Sequence, residues 1–314
     1  MNHSSNSTAE VIGLEGQVAI VTGAGTGLGR AHALALAERG AIVVVNDLDT
    51  RPAGSTEPML VDEVVEEIHS TGGQAVVAPC DVSDEQAVQD MIAHVVAEFG
   101  RIDILINNAG ILRDKSFGKS DLADFRKVLE VHLMGSVHCA HAVWPYMVAQ
   151  GYGRILMTTS ASGIYGNFGQ ANYGAAKSAL VGLMNVLAIE GEPKNIRVNA
   201  LAPTAATKMT EDLLEAHELS RLAPETVSPG AVFMVSPDAP TKTILAAGAG
   251  VFATARMEES QGVFFPEAAR TPEDVAANWD QISDMSRTVQ TASAFEQTRR
   301  YVVKALHGVE GALL

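Results

Sequence analysis

The chain has 314 residues, 47% of them hydrophobic and 19% charged, and carries a formal net charge of −15 at pH 7. That composition excludes a disordered or fibrous chain, and the acidic balance argues against nucleic acid and an anionic membrane as partners. Cys80 and Cys139 lie far apart with no metal or redox spacing, which points to reduced core thiols and a cytoplasmic setting.

The polar start lacks a basic-then-apolar leader, so residues 1–13 read as a flexible tail. The end, Glu310–Leu314, is neither a lipidation nor a peroxisomal address, and no apolar stretch reaches membrane-spanning length unbroken. Gln17–Val21 is a short β-branched run, read as a buried first strand. It runs into Thr22-Gly-Ala-Gly-Thr-Gly-Leu-Gly29, and a helix over Arg30–Arg39 follows. In that context Gly23, Gly27 and Gly29 let a pyrophosphate approach the helix N-terminus. Gly25, Thr26 and Leu28 complete the turn.

Ala41–Val45 reads as the second strand. Asp47 just beyond it stands where an acidic side chain accepts from adenosine ribose hydroxyls and repels a 2′-phosphate, which favours NAD over NADP. Residues 51–58 look like a polar insertion before a helix over Leu60–Ser70. A third strand over Ala75–Ala78 leads to Asp81 and Val82, placed to flank an adenine ring. A helix over Ser83–Phe99 and a strand over Ile102–Ile106 follow. The small residues Asn107, Asn108, Ala109 and Gly110 come next, where backbone can approach a cofactor.

Asp121–Val148 reads as one long helix kinked near Pro145, and Arg154–Thr159 as a buried strand. Ser160 and Ser162 follow, then Tyr173 and Lys177, ahead of an apolar helix over Ser178–Ile189. Four-residue spacing puts Tyr173 and Lys177 on one helix face. A nearby ammonium favours the phenolate, so the pair suits general acid/base work, and a serine at the strand end can bond the reacting oxygen. A sixth strand covers Ile196–Leu201, Thr204–Leu222 reads as a mobile cover, and Ile244–Ala247 is a seventh strand. Pro272–Met285 and Ala294–Leu306 look helical. The alternation predicts a Rossmann-type α/β fold, a doubly wound parallel sheet over residues 14–254. Residues 255–314 are expected to form a C-terminal extension packed on it or on a partner subunit.

These motifs together resemble the short-chain dehydrogenase/reductase family, over roughly Leu14–Ala247. The resemblance selects Ser160 over Ser162, 13 residues before the tyrosine. It implies that Tyr173 is the acid/base and that Lys177 lowers its pKa and holds the nicotinamide ribose. Asn108, Ala109, Gly110, Pro203 and Thr204 are implied to line the cofactor. Asn107–Asp114, Val131–Leu133, Ser160–Tyr173 and Thr271–Trp279 resemble more narrowly the (3R)-hydroxyacyl-CoA dehydrogenases of that family. The implied reaction is hydride transfer between a 3-hydroxyacyl-CoA and NAD, with a hydroxysteroid as the alternative substrate; a binding protein without turnover would not need all three catalytic side chains. His132 stands where many members carry asparagine, and it either joins the proton relay or packs. Pro203-Thr204 replaces the usual Pro-Gly. A homodimer or homotetramer is expected from the family and from helices apolar on more than one face. Arg113, Lys115, Lys119 and Lys208 form a candidate clamp for CoA phosphates.

Overall fold

The computed structural model describes residues 11–48, 59–205 and 221–307. The expected insertion at residues 51–58 and residues 206–220 of the expected cover, with Lys208, lie outside the described residues. Contacts divide the chain into two compact units, Met1–Ala255 and Arg256–Leu314.

The first unit is built on seven parallel strands: β1 (Val18–Val21), β2 (Ile42–Val45), β3 (Gln74–Val77), β4 (Ile104–Asn107), β5 (Gly153–Thr158), β6 (Ile196–Thr204) and β7 (Ile244–Gly248). An eighth, β8 (Val251–Ala255), closes the sheet, whose order is β3-β2-β1-β4-β5-β6-β7-β8. Helices α1 (Gly27–Ala37), α2 (Leu60–Ser70), α3 (Glu85–Phe99), α4 (Leu122–Leu129), α5 (Gly135–Gln150), α6 (Ala161–Tyr165), α7 (Ala171–Gly191) and α8 (Ser228–Met234) connect the strands. Central strands are covered on both faces, so they are continuous apolar runs: every residue of β1, β4 and β5 is buried. Two apolar clusters fill the layers. One centres on Leu36, Val43, Ile68 and Ile106, the other on Ile92, Leu105, Val143 and Ile155. Chain order reverses between β1 and β4, which opens a crevice at the carboxyl ends of those strands. Among the described residues no helix is long and apolar enough to cross a membrane.

The sheet departs from the all-parallel expectation at one edge. β8 pairs antiparallel with β7, because Ala249 (φ 52°) and Gly250 (φ 76°) turn the chain straight back. The long helix also differs. α5 continues past Pro145, which supplies no N–H to the ladder, and a π-turn at Glu130–Met134, which carries His132, interrupts the α-helical pattern before it. α7 begins seven residues before Ser178, because Ala171, Ala175 and Ala176 favour helix despite Gly174. That early start puts Tyr173 and Lys177 inside its first two turns.

In the second unit, β9 (Glu259–Ser260) pairs antiparallel with β10 (Thr288–Val289). The expected helix over Pro272–Met285 divides into α9 (Pro272–Ala277) and α10 (Trp279–Ile282), and α11 (Ala294–His307) follows. The Glu259 carboxylate accepts from Tyr301 Oη (2.7 Å), Gln297 Nε2 (2.8 Å) and Arg300 Nη2 (3.0 Å). Those bonds, from Tyr301 first, hold its pKa down to about 2 and pin α11 to β9.

Candidate active site

One cavity of about 800 Å³ lies at the crevice of the first unit. One side is lined by Gly23, Thr26, Gly27, Leu28, Asp47, Asp81 and Val82. Asn108, Ala109, Gly110, Pro203 and Thr204 also line it, and Ser160, Tyr173, Lys177 and His132 line the other side. The expected site residues therefore converge, with two exceptions. Gly25 and Gly29 are not in the wall. Gly29 serves packing: a Cβ there would fall 2.1 Å from the Gly23 carbonyl oxygen, so only glycine lets α1 dock on the turn. Gly25 serves Asp47, whose Oδ2 accepts from the Gly25 amide at 2.9 Å.

The glycine turn is tied to the end of β4. Thr22 Oγ1 accepts from the Asn108 and Ala109 amides at 2.9 and 3.1 Å. Asn108 Nδ2 donates to the Thr22 and Gly23 carbonyls at 3.0 and 3.1 Å. Gly23 (φ 63°) and Gly27 (φ 55°) hold left-handed conformations that cost other residues energy. The turn thus presents bare backbone at the N-terminus of α1, as a pyrophosphate requires. Asp47 is oriented by the Gly25 and Leu48 amides, so its carboxylate faces the same cavity as a rigid acceptor. Desolvation works against the Asp81 carboxylate, but the Ser83 hydroxyl, the Ser83 amide and Lys127 outweigh it and hold its pKa below the ordinary value.

Ser160 ends the β5 segment and caps α6, its Oγ accepting from the Ser162 amide at 3.2 Å. Lys177 is 3% exposed. Its Nζ donates to the Thr158 carbonyl at 2.5 Å and lies 5.6 Å from the Tyr173 ring centre. The expected lowering of the phenol pKa by Lys177 is set against burial of the phenol itself. Burial raises Tyr173 above 10, Asp114 adds to the rise, and the Ser160 bond only partly offsets it. Burial also brings Lys177 down to about 7, so its charge is only partly retained at neutral pH.

His132 is 2% exposed and meets the Tyr173 ring edge-on, with centres 5.2 Å apart. Its Nε2 lies 2.7 Å from the Ile111 carbonyl oxygen and 3.0 Å from the Ile111 amide. Burial, then the Lys177 charge, brings its pKa to about 3, so the ring is neutral at any working pH. The Nε2–H tautomer donates to the carbonyl and leaves Nδ1 a buried lone pair without a donor. Gly110 makes room for this ring, since a Cβ there would lie 2.2 Å from His132 Cε1.

The expected phosphate clamp is modified. Arg113 Nε and Lys115 Nζ each lie 3.6 Å from the Asp124 carboxylate, and neither residue lines the cavity. Two cations thus share one anion. The wall also holds Asn46, Lys127, Asn167 and Gln170, none of which the sequence singles out, and Cys80, expected as a core thiol, is half-buried in the same wall. Asn46 Nδ2 donates to the Ala78 and Cys80 carbonyls at 2.8 and 3.3 Å, joining the ends of β2 and β3. Burial pushes the Cys80 thiol to about 11, so it is not a nucleophile.

The chain is similar along most of its length to known proteins. The chain is 43% identical over 307 residues to peroxisomal multifunctional enzyme type 2 of Mus musculus, covering 96% of this chain and 41% of that protein. This chain therefore spans under half the length of the mouse enzyme. A short chain dehydrogenase from Mycobacterium avium superposes with TM-score 0.75 at 36% identity, over 85% of this chain and 94% of that one. A 7α-hydroxysteroid dehydrogenase complexed with NADH and a 7-oxo bile acid conjugate gives TM-score 0.68 at 33% identity, over 76% of this chain and 95% of that one. The short chain dehydrogenase family model matches residues 17–218, and the chain belongs to that family.

Proposed function

We propose that the protein transfers a hydride between the 3-hydroxyl carbon of a (3R)-hydroxyacyl-CoA and NAD. The observation that carries this reading is the convergence of Ser160, Tyr173 and Lys177 on the cavity that the glycine turn and Asp47 also line. NAD fits the residues present: bare backbone at the α1 N-terminus suits a pyrophosphate, and the oriented Asp47 carboxylate suits ribose hydroxyls and opposes a 2′-phosphate. When bound, NAD supplies the hydride acceptor. Gly23, Thr26, Gly27 and Leu28 hold its phosphates, Asp47 its adenosine ribose, Asp81 and Val82 the adenine. Asn108, Ala109, Gly110, Pro203 and Thr204 wall the nicotinamide side.

Tyr173 takes the hydroxyl proton during oxidation and returns it during reduction. Ser160 donates to the same oxygen. Lys177 holds a proton beside the phenol and bonds the nicotinamide ribose. His132 acts by position: it fixes the Ile111 peptide and the face of the Tyr173 ring, and being neutral it carries no charge through the reaction.

The acyl-CoA substrate is supported by the 43% identity to the mouse multifunctional enzyme and by the paired cations Arg113 and Lys115 on the loop that follows β4. Replacing both residues by alanine is expected to raise KM for a 3-hydroxyacyl-CoA about tenfold at low salt, with kcat little changed. The rise should shrink at high salt. An equal rise for a CoA-free hydroxysteroid would remove CoA recognition from these residues.

The protein is proposed to be a homodimer or homotetramer. On α7, Val186 and Ile189 are 53% and 47% exposed while Leu180 and Met184 are buried, so the helix is apolar on two sides. Light scattering at micromolar concentration should give a multiple of 33.0 kDa, and a monomer mass would refute the assignment. A cytoplasmic location is supported by Cys80 and Cys139 both being free thiols.

A further inference from the structure

Two loops meet beside the reacting residues. One leaves β4 and carries residues 110–116; the other carries residues 166–170 into α7. The Lys115 amide donates to the Gly169 carbonyl at 2.9 Å. Asn172 Nδ2, on a side chain 3% exposed, donates to the Arg113 carbonyl at 2.9 Å, and its Oδ1 accepts from the Tyr173 amide at 2.7 Å. Further out, Gln170 Nε2 donates to Asp114 Oδ2 at 2.7 Å. The other end of that amide, Oε1, accepts from Ser162 Oγ at 2.6 Å and from Asn167 Nδ2 at 3.2 Å.

An ionised carboxylate only accepts hydrogen bonds. Asp114 therefore dictates which end of the Gln170 amide faces it. Nε2 turns to Asp114, and Oε1 is left for Ser162. The Ser162 proton is then committed to Oε1. Ser162 lines the cavity, so its oxygen can offer a ligand only lone pairs. It stands next to the reacting pair, because its amide donates to Ser160 Oγ and Ser160 and Tyr173 line the same cavity wall. A short polar chain thus runs from an exposed carboxylate to the catalytic serine.

We propose that Asp114 is a positioning residue for the reaction: through Gln170 it makes Ser162 an acceptor-only neighbour of Ser160 and so sets how the substrate lies beside the reacting carbon. This rests on the dehydrogenase reading above. A carbonyl oxygen of the substrate is repelled from Ser162, whereas an N–H or O–H is held there. An acyl thioester must turn its carbonyl away from that wall, which leaves one productive orientation. An amide at position 114 removes the constraint, because its Nδ2 can meet Gln170 Oε1 and let the Gln170 amide turn over. Ser162 would then offer either a proton or a lone pair.

A charge-conserving exchange tests this. Asp114→Asn is expected to raise KM for a 3-hydroxyacyl-CoA about tenfold with kcat within about threefold, since an oriented charged bond is lost while Tyr173, Ser160 and Lys177 remain. Gln170→Glu should be worse, because two carboxylates then face each other. The double variant puts the donor at 114 and the acceptor at 170, restores the committed Ser162 proton, and should return KM to within about threefold of wild type. A general loss of folding, unrelated to the bond between positions 114 and 170, would not be rescued by the exchange. Amide hydrogen exchange at Lys115 in the free protein reads the same cycle without substrate: faster in each single variant, restored in the double. If the wild type oxidises no 3-hydroxyacyl-CoA, the functional reading fails and the exchange arm still decides the role of Asp114 in holding the loops. Additive losses in the double variant, in KM or in Lys115 protection, overturn the proposal.

Discussion

Tyr173→Phe is expected to lower kcat by ~10²–10⁴ while leaving NADH affinity within about twofold of wild type. The substitution removes one oxygen and keeps the ring that packs edge-on against His132. The loss therefore falls on the transition state and not on cofactor binding. The structure adds a pH signature. Burial raises the Tyr173 phenol and lowers Lys177 to about 7. The phenol must lose its proton before it can accept one from the alcohol, so oxidation should quicken as pH rises above neutrality toward the raised phenol pKa. Reduction uses the protonated phenol and should hold its rate on the acid side of that range. His132 is neutral down to about pH 3, so no ionisation near its ordinary value should appear in either profile. Stopped-flow or steady-state NADH absorbance, with NADH fluorescence titration for binding, checks each point. Retention of more than about half of wild-type kcat in Tyr173→Phe would remove the residue from the acid/base role.

Asp47→Ala is expected to abolish the preference for NAD. Wild type should favour NAD over NADP by about 10²-fold in kcat/KM, since a desolvated 2′-phosphate facing a fixed carboxylate is repelled and unpaired. The variant should lose most of that ratio, chiefly through a poorer KM for NAD. Asp47 also tethers the Gly25 amide at 2.9 Å, so alanine should lower thermal stability slightly as well. Asp47→Asn separates the two effects: it keeps an acceptor for Gly25 and removes the charge. Equal kcat/KM for NAD and NADP in the wild type would contradict the assignment.

The placement of the candidate site residues was legible in the sequence where it depends on local spacing. Tyr173 and Lys177 are four apart on a helix, Ser160 caps the short helix after β5, and the glycine turn sits between strand and helix; each constraint is satisfied by neighbours in the chain. The sheet's far edge was less legible, because β8 is a short run with no alternation; the Gly248-Ala249-Gly250 turn was the available signal. The π-turn at His132 leaves apolar periodicity almost unchanged and so left no trace in the pattern. Other features exist only through tertiary contact. Arg154 opens a run that reads as a buried strand, but the sequence does not show what satisfies its charge; it is 2% exposed because the Gly153, Asn195, Ser236 and Pro237 carbonyls accept from its guanidinium. The same holds for the desolvation of Lys177, which no spacing reveals, and for Asp114, which reaches the site through Gln170 from 56 residues away.

The central claim is most directly tested by initial rates of NAD reduction across a panel of (3R)- and (3S)-3-hydroxyacyl-CoAs and hydroxysteroids at one pH. The account predicts that a (3R)-hydroxyacyl-CoA gives the highest kcat/KM, by about tenfold or more over its 3S isomer and over any hydroxysteroid. A hydroxysteroid turned over as well or better, or no NAD reduction by any 3-hydroxyacyl-CoA, would contradict it.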